Sequence, residues 1–255
     1  MIDIRQLNFS YRPGSPVLAG ISACLRKGQV VSVLGPNGCG KTTLLKAVLG
    51  FLPVSCRTIF IDEKPLESFS RPALARILAY VPQSHGSVFA YQVRDMVLMG
   101  RTGCRRFGGF SAKDQQKAQE ALDLVRISHL ARRSFPELSG GQQQLVIIAR
   151  ALAQDSSFIF MDEPTSGLDL ANQTLVLKTM KKLHEERGLS FLMTTHHPEQ
   201  AVYLGGQVLM MKAGQVKAAG EARKLTTARM VEELYDLSPG LLTEMGLVPS
   251  GLDPN

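Results

Sequence analysis

The sequence has no apolar run approaching the roughly 18 residues needed to cross a bilayer. Even "LVIIARALA" (Leu145 to Ala153) is short and carries Arg150. The N-terminus "MIDIRQLNFSYRPG" lacks the basic-then-apolar order of a secretion signal. A soluble chain that stays in the cytosol is the expectation. The four cysteines, Cys24, Cys39, Cys56 and Cys104, have no paired spacing, which argues against a zinc site or a disulfide framework. Free thiols in a reducing compartment are the plain reading. There is no internal repeat, low-complexity linker or heptad run. What is present is ordinary for a globular chain of 255 residues: 44% hydrophobic, 20% charged. The net charge of +7 and the pI near 9.4 suit contact with nucleotide, nucleic acid or a membrane surface. Charge of this size is also common on proteins that touch none of these.

Short apolar runs alternate with helical patterns. "QVVSVLG" (Gln29 to Gly35), "SFIFMDEP" (Ser157 to Pro164) and "LSFLMTTHH" (Leu189 to His197) read as buried strands. "KTTLLKAVLG" follows the first as a helix with Gly50 near its end, and Leu168 to Gly188 reads as an amphipathic helix closed by Gly188. Strands alternating with helices imply a parallel sheet covered on both faces. "MIDIRQLNF" and Val17 to Leu25 alternate apolar with polar residues, as antiparallel strands do. "QVLMMKAGQVKAAG" reads as two extended runs joined by a turn at "KAGQ". From about Gln92 to Gln154 no strand is evident, and "SAKDQQKAQEALDLVRI" is helical by spacing. The tail "LSPGLLTEMGLVPSGLDPN" is rich in Pro and Gly and is expected to be loosely ordered.

Gly35-Pro36-Asn37-Gly38-Cys39-Gly40-Lys41-Thr42 matches the phosphate-binding loop, with a strand before it and a helix after. Its glycines let backbone N–H groups converge on phosphates, and the helix N-terminus adds a positive dipole end. Lys41 supplies a mobile cation, and the Thr42 hydroxyl suits Mg²⁺, which takes hard oxygen ligands. Cys39 is open to oxidation in principle but reads as a small filler. Asp162 and Glu163 follow four apolar strand residues, which fixes them at the strand's C-terminal end, where parallel sheets bind ligands. Asp162 suits Mg²⁺, through water, and Glu163 suits general-base work on an attacking water. The bland alternative is an acidic strand-to-helix turn with Pro164 as a helix start.

"ELSGGQQQ" (Glu137 to Gln144) precedes the helical run Gln142 to Ala153, with Ser139 as a candidate N-cap and Gly140 and Gly141 exposing N–H groups. It is a second helix end suited to an anion, in a chain with a single triphosphate loop. Leu138-Ser139-Gly140-Gly141-Gln142 resembles the signature motif of ATP-binding-cassette ATPases. Other motifs of that family follow in order: Tyr11 before the loop, Gln83 in "AYVPQ", Ser166-Gly167-Leu168-Asp169 after the acids, and His196 in "TTHHP". The resemblance covers about Met1 to Glu221. Cys39 and Gly167 depart from the commoner Ser and Ala.

The resemblance implies an α/β fold of the P-loop NTPase type: a mainly parallel sheet, an N-terminal antiparallel β subdomain and an inserted helical subdomain. It sets an ATPase domain at 1–221 with the helical insert at roughly 90–154, and a C-terminal helical extension with a loose tail at 222–255. It implies two cassettes packed head to tail around two ATP molecules. Tyr11 would stack on adenine, or is simply a packed aromatic. Gly38, Gly40, Lys41, Thr42 and Thr43 would hold phosphate. Gln83 would sense Mg²⁺ and the γ-phosphate. Ser139 and Gly141 would act in trans, within the run Ser139 to Gln142, and Asp169 would bridge the dimer. His196 would contact the γ-phosphate. His197 is the competing candidate, but the position directly after the strand and threonines favours His196. His85, His129 and His184 look like surface residues.

"AYQVRDMVLMGRTG" (Ala90 to Gly103) resembles bacterial importers of metal chelates: iron–siderophore, haem, cobalamin and some oxyanion importers. That implies integral membrane permease subunits as partners and, indirectly, a periplasmic or lipoprotein substrate-binding protein. It implies a peripheral position on the cytoplasmic side of the inner membrane. Ser84 to about Arg101 would then lie near the groove for a permease coupling helix, or else pack within the helical subdomain. No long regulatory domain is expected after Glu221, unlike the sugar-importer type. The runner-up is the soluble cassette ATPase of iron–sulfur cluster assembly. DNA-repair cassettes with a long coiled coil and tandem translation-factor cassettes do not fit, and no nucleic-acid partner is expected.

Overall fold

The computed structural model describes residues 1–83, 90–104 and 109–245, without the Cys104 side chain. His85 as a surface residue, the 84–89 part of the segment expected near a permease groove, the Cys104 thiol and the 246–255 part of the tail lie outside the described residues. Along the chain run β1 (Ile2–Arg12), β2 (Ser15–Leu25), β3 (Val30–Leu34), α1 (Lys41–Val48), β4 (Ile59–Ile61) and β5 (Lys64–Pro65). Then come α2 (Arg71–Ala75), β6 (Leu78–Val81), α3 (Val93–Leu98), α4 (Ala112–Leu124), α5 (Gly140–Ala153), β7 (Phe158–Asp162) and α6 (Leu170–Arg187). The chain continues with β8 (Ser190–Thr195), α7 (Pro198–Leu204), β9 (Gln207–Lys212), β10 (Gln215–Glu221), α8 (Ala222–Leu225), α9 (Ala228–Tyr235) and α10 (Leu241–Glu244). They form two compact units, Met1–Phe69 with the chain from Phe191 onward, and Ser70–Ser190.

In the first unit β1 pairs antiparallel with β2 and β4, with Ile2 opposite both Leu25 and Ile61. Strict alternation breaks at Gln6, whose φ of 47° makes a bulge and turns Leu7 into the core. β3 is the run "VVSVL", buried along its whole length, with a parallel strand on each edge. β8 lies on one side (Leu34 opposite Thr195) and β9 on the other (Leu34 opposite Met210). β10 returns antiparallel to β9 after the expected turn, where Ala213 and Gly214 both take positive φ. Leu234 of α9 buries itself with Leu34, Ala201, Val208, Met210 and Ala222.

In the second unit β6 and β7 pair in parallel, Leu78 opposite Phe158. Between them the described residues hold only helices, turns and one isolated bridge, Gln92 to Ser134. α5 packs against α3, α4 and α6, so its interior residues from Gln144 to Ala149 are all buried. Arg101, in the 3-10 turn Met99–Cys104, donates from Nε to Asp114 Oδ1 at 3.0 Å and from Nη1 to the Ala153 carbonyl at 2.9 Å. It thereby joins α4 to the C-terminus of α5. α6 ends where the sequence reading puts it, with Gly188 closing the helix at φ 62°, but starts at Leu170, two residues after the expected Leu168. The short β4, β5 and β6 and the five-residue α2 were not expected from the pattern. Pro164 stands in a turn rather than at a helix start, because α6 begins only after its cap, Asp169. His129 is exposed as expected, whereas His184 is half-buried with Nδ1 3.0 Å from the Leu189 carbonyl.

Candidate functional site

In the first unit, β3 ends at Leu34 and releases the loop Gly35 to Gly40 onto the N-terminus of α1. Gly38 and Gly40 have φ of 79° and 105°, backbone that side chains rarely adopt. Gly35 is required for a different reason: a Cβ there would lie 2.1 Å from the Met211 carbonyl oxygen. Cys39 is buried against Gly35, its sulfur 2.9 Å from that same Cβ position, which fits a filler. No side chain caps α1 at Gly40, and a helix N-terminus preceded by such a loop suits an anion. Lys41 is not mobile as expected but buried, its ammonium donating to the Gly35 and Pro36 carbonyls at 2.8 and 3.1 Å. These carbonyls hold the cation within the glycine cradle. Asn37 is exposed, Thr42 half-buried and Thr43 buried.

Tyr11 of β1 is 57% exposed, packs edge-on against Phe9, and has its hydroxyl 3.4 Å from Thr43 Oγ1. An aromatic face that remains this open next to the loop suits a stacked base. His196 follows β8, and the β3–β8 register brings it beside the loop, where Gly35 N–H donates to the Thr195 carbonyl at 3.4 Å. The His196 and His197 rings lie 4.2 Å apart. His197 Nδ1 is 3.1 Å from Glu199 Oε1, so the second histidine has a local partner.

In the second unit, Asp162 ends the fully buried β7 and is itself only 2% exposed. The Tyr80 hydroxyl, from the adjacent β6, donates to it. Burial, then the Asp162 charge and this hydrogen bond, push the Tyr80 phenol up to about 12, so it stays a neutral donor. Glu163, one residue beyond the strand, has φ of 44°, a left-handed conformation costing on the order of 1 kcal/mol for a non-glycine residue. Gln83 donates from Nε2 to Glu163 Oε2 at 3.2 Å. Thus Asp162, Glu163 and Gln83 converge, and Tyr80 joins them from outside the sequence motifs. In this unit the Asp162 carboxylate and the Gln83 amide offer the hard oxygen donors that Mg²⁺ takes, and in the first unit the Thr42 hydroxyl is a donor of the same kind.

Ser139 caps α5 with a full capping box: its hydroxyl accepts from Gln142 N–H at 3.4 Å, and the Gln142 side chain accepts from Ser139 N–H at 3.1 Å. Gly140 is exposed, but Gly141 is buried, and a Cβ on it would meet Asn172 Oδ1 at 2.0 Å. Asn172 is itself held by Asp169, which accepts from its backbone N–H at 2.8 Å and its side-chain amide at 3.0 Å. The signature turn and the start of α6 therefore form one piece, with Asp169 as the α6 cap. Sequence reading found Gly141 and Asp169 but not Asn172, which joins them. It also missed Tyr80, whose only signal was a polar tip on a buried strand next to Gln83.

Comparison with known proteins agrees with these motifs. A family model described as ABC transporter matches residues 18–166. The molybdate import ATP-binding protein of Haemophilus influenzae is 37% identical over 92% of this chain and 88% of its own length. The hemin import ATP-binding protein of Hahella chejuensis is 36% identical, covering 89% of each. Among solved structures, a metal-chelate-type ABC transporter in an inward-facing conformation superposes with a TM-score of 0.80 at 37% identity, covering 91% of this chain and 87% of that one. A glycine cradle, a buried strand-end carboxylate and a serine-capped signature helix thus occur together in a chain that belongs to the ABC transporter family, whose cassettes bind and hydrolyse ATP.

Proposed function

We propose that this chain powers import of a metal chelate or a related metal oxyanion, working as a head-to-tail homodimer against integral membrane permease subunits. The observation that carries the cargo class is the likeness, over about nine tenths of the chain, to hemin and molybdate import proteins and to a metal-chelate-type transporter. The cassette would sit peripherally on the cytoplasmic side of the membrane; no helix among the described residues is long and apolar enough to cross it. A substrate-binding protein would join indirectly, through the permease. We read 1–221 as the ATPase domain with a helical insert at roughly 90–154, and 222–255 as an extension.

Within one nucleotide site, Tyr11 stacks on adenine, and the loop from Gly35 to Thr43 with Lys41 binds the phosphates. Thr42, Asp162 and Gln83 hold Mg²⁺, which when bound neutralises charge on the phosphate oxygens. Glu163 takes a proton from the attacking water, and Gln83 holds that carboxylate at its working position. His196 contacts the γ-phosphate. Ser139, Gly140, Gly141 and Gln142 of the second copy close over the same phosphate, and Asp169 contributes to the dimer contact. This gives the second anion-suited helix end a ligand.

The test is capture of the tagged chain from detergent-solubilised membranes, joined to uptake of labelled ferric-siderophore, haem and molybdate. An integral permease is expected to co-purify, and uptake of one cargo is expected to stop on Glu163→Gln. Recovery of soluble iron–sulfur assembly proteins, with no membrane protein, would overturn the reading.

A further inference from the structure

The peptide group joining His196 to His197 is gripped on both sides by hydroxyls. Its carbonyl oxygen accepts from the Tyr235 hydroxyl at 2.7 Å. Its N–H donates to Thr195 Oγ1 at 3.0 Å, and that hydroxyl in turn donates to the buried Gln200 Oε1 at 3.0 Å. A peptide group turns as a rigid plane about the line between its two Cα atoms. Bonds to its oxygen on one side and its N–H on the other remove that freedom, which fixes ψ of His196 and φ of His197.

The Thr195 side of the grip is local, but Tyr235 comes from the end of α9, far along the chain. α9 is itself firmly held. Thr227 caps its start by accepting from Met230 N–H at 3.3 Å, and Leu234 enters the apolar cluster with Leu34 and Met210, against which Tyr235 also packs. At its end the Lys212 ammonium donates to the Glu233 carbonyl at 2.7 Å and pairs with Asp236 at 2.6 Å. The buried Glu232 carboxylate accepts from Gly240 and Leu242 N–H, both at 3.0 Å, which ties α10 to the same helix. A tyrosine ring in such a setting needs no hydroxyl for packing, yet this one aims its hydroxyl at a main-chain carbonyl next to the active site.

We infer that Tyr235 is a positioning residue for hydrolysis: through the His196–His197 peptide, α9 sets the direction of the His196 ring. The inference rests on the proposed γ-phosphate role of His196. Its test uses Tyr235→Phe in the full-length chain at a protein concentration that saturates the ATPase rate. The expected result is a kcat lower by about three- to tenfold, the range of a single hydrogen bond, with KM and nucleotide affinity within about twofold and the melting temperature lowered by no more than about 2–4 °C. Leu234→Ala is the packing control: it should lower the melting temperature while kcat, measured well below melting, stays within about twofold. If Tyr235→Phe keeps the wild-type kcat while His196→Ala is inactive, the positioning role is overturned and the histidine role stands. Loss of kcat in both Tyr235→Phe and Leu234→Ala in step with stability would also overturn it. Normal turnover in His196→Ala would remove the role of His196, and the inference with it.

Discussion

Glu163 shows how much one residue's chemistry depends on its backbone. The carboxylate stands one step past a buried strand, at positive φ, and accepts from the Gln83 amide. Glu163→Gln keeps the shape and retains an oxygen for Gln83, so the local structure should survive. What it loses is the proposed general base, worth about 10²- to 10⁴-fold in rate. The expected outcome is a protein that binds ATP at wild-type affinity, hydrolyses it at least a hundredfold more slowly, and accumulates as a dimer on size-exclusion chromatography with ATP. Normal turnover would remove Glu163 from its role. Residues of this kind were legible in the sequence because their chemistry demands particular types at fixed spacing in one short stretch. Tyr80 and Tyr235 were not, because each acts on a partner brought near only by the fold, and an isolated tyrosine carries no spacing signal.

At the scale of elements, strands and helices with a strong period were read nearly to the residue, while β4 to β6 and α2 escaped because each is too short to establish one. The Arg101–Asp114 pair escaped for a different reason. Its residues lie in separate segments, and both side chains are only 11% exposed after folding. The Ser111 hydroxyl and then the Arg101 guanidinium hold the Asp114 carboxyl down at about 2, from an ordinary 3.8. The folded state thus favours the charged form. Its contribution to stability is present above about pH 4 and is lost as pH falls toward 2. Asp114→Asn should lower unfolding free energy by about 1–3 kcal/mol at pH 7, the cost of a charge-assisted hydrogen bond near the core. The gap between variant and wild type should close between pH 4 and 2, measured by urea denaturation. A gap that does not narrow on acidification would show that the carboxylate is not what matters. Gly141 sets a second constraint at this scale. Gly141→Ala drives a Cβ to 2.8 Å from that of Asn172 as well as onto its amide, so no rotamer relieves the contact. The starts of α5 and α6 must separate, at about 1–3 kcal/mol, read as a lower melting temperature even without nucleotide. An unchanged melting temperature would mean the two helix starts are not in contact in solution.

At the scale of the whole molecule, one chain carries two helix ends suited to an anion. In a single protomer the second of them is already satisfied by its own capping box, and the Ser139 hydroxyl needs no phosphate to complete it. The turn is nevertheless exposed at Ser139 and Gly140, and held rigidly from behind by Gly141 against Asn172. A rigid, exposed, glycine-rich helix start is what a partner molecule's phosphate could approach without rearrangement. If two copies complete each site, hydrolysis per protomer must rise with protein concentration and then level off, because a lone copy lacks the second half. Ser139→Arg adds a bulky cation at that surface while leaving the Gly35–Thr43 loop of its own chain intact. The variant should therefore still bind ATP in a filter assay, yet form no ATP-dependent dimer in light scattering and show no rise in specific activity with concentration. A wild-type rate per protomer that stays constant over a hundredfold dilution, or a Ser139→Arg rate equal to wild type, would mean that one copy completes the reaction by itself and that the signature turn serves only its own helix.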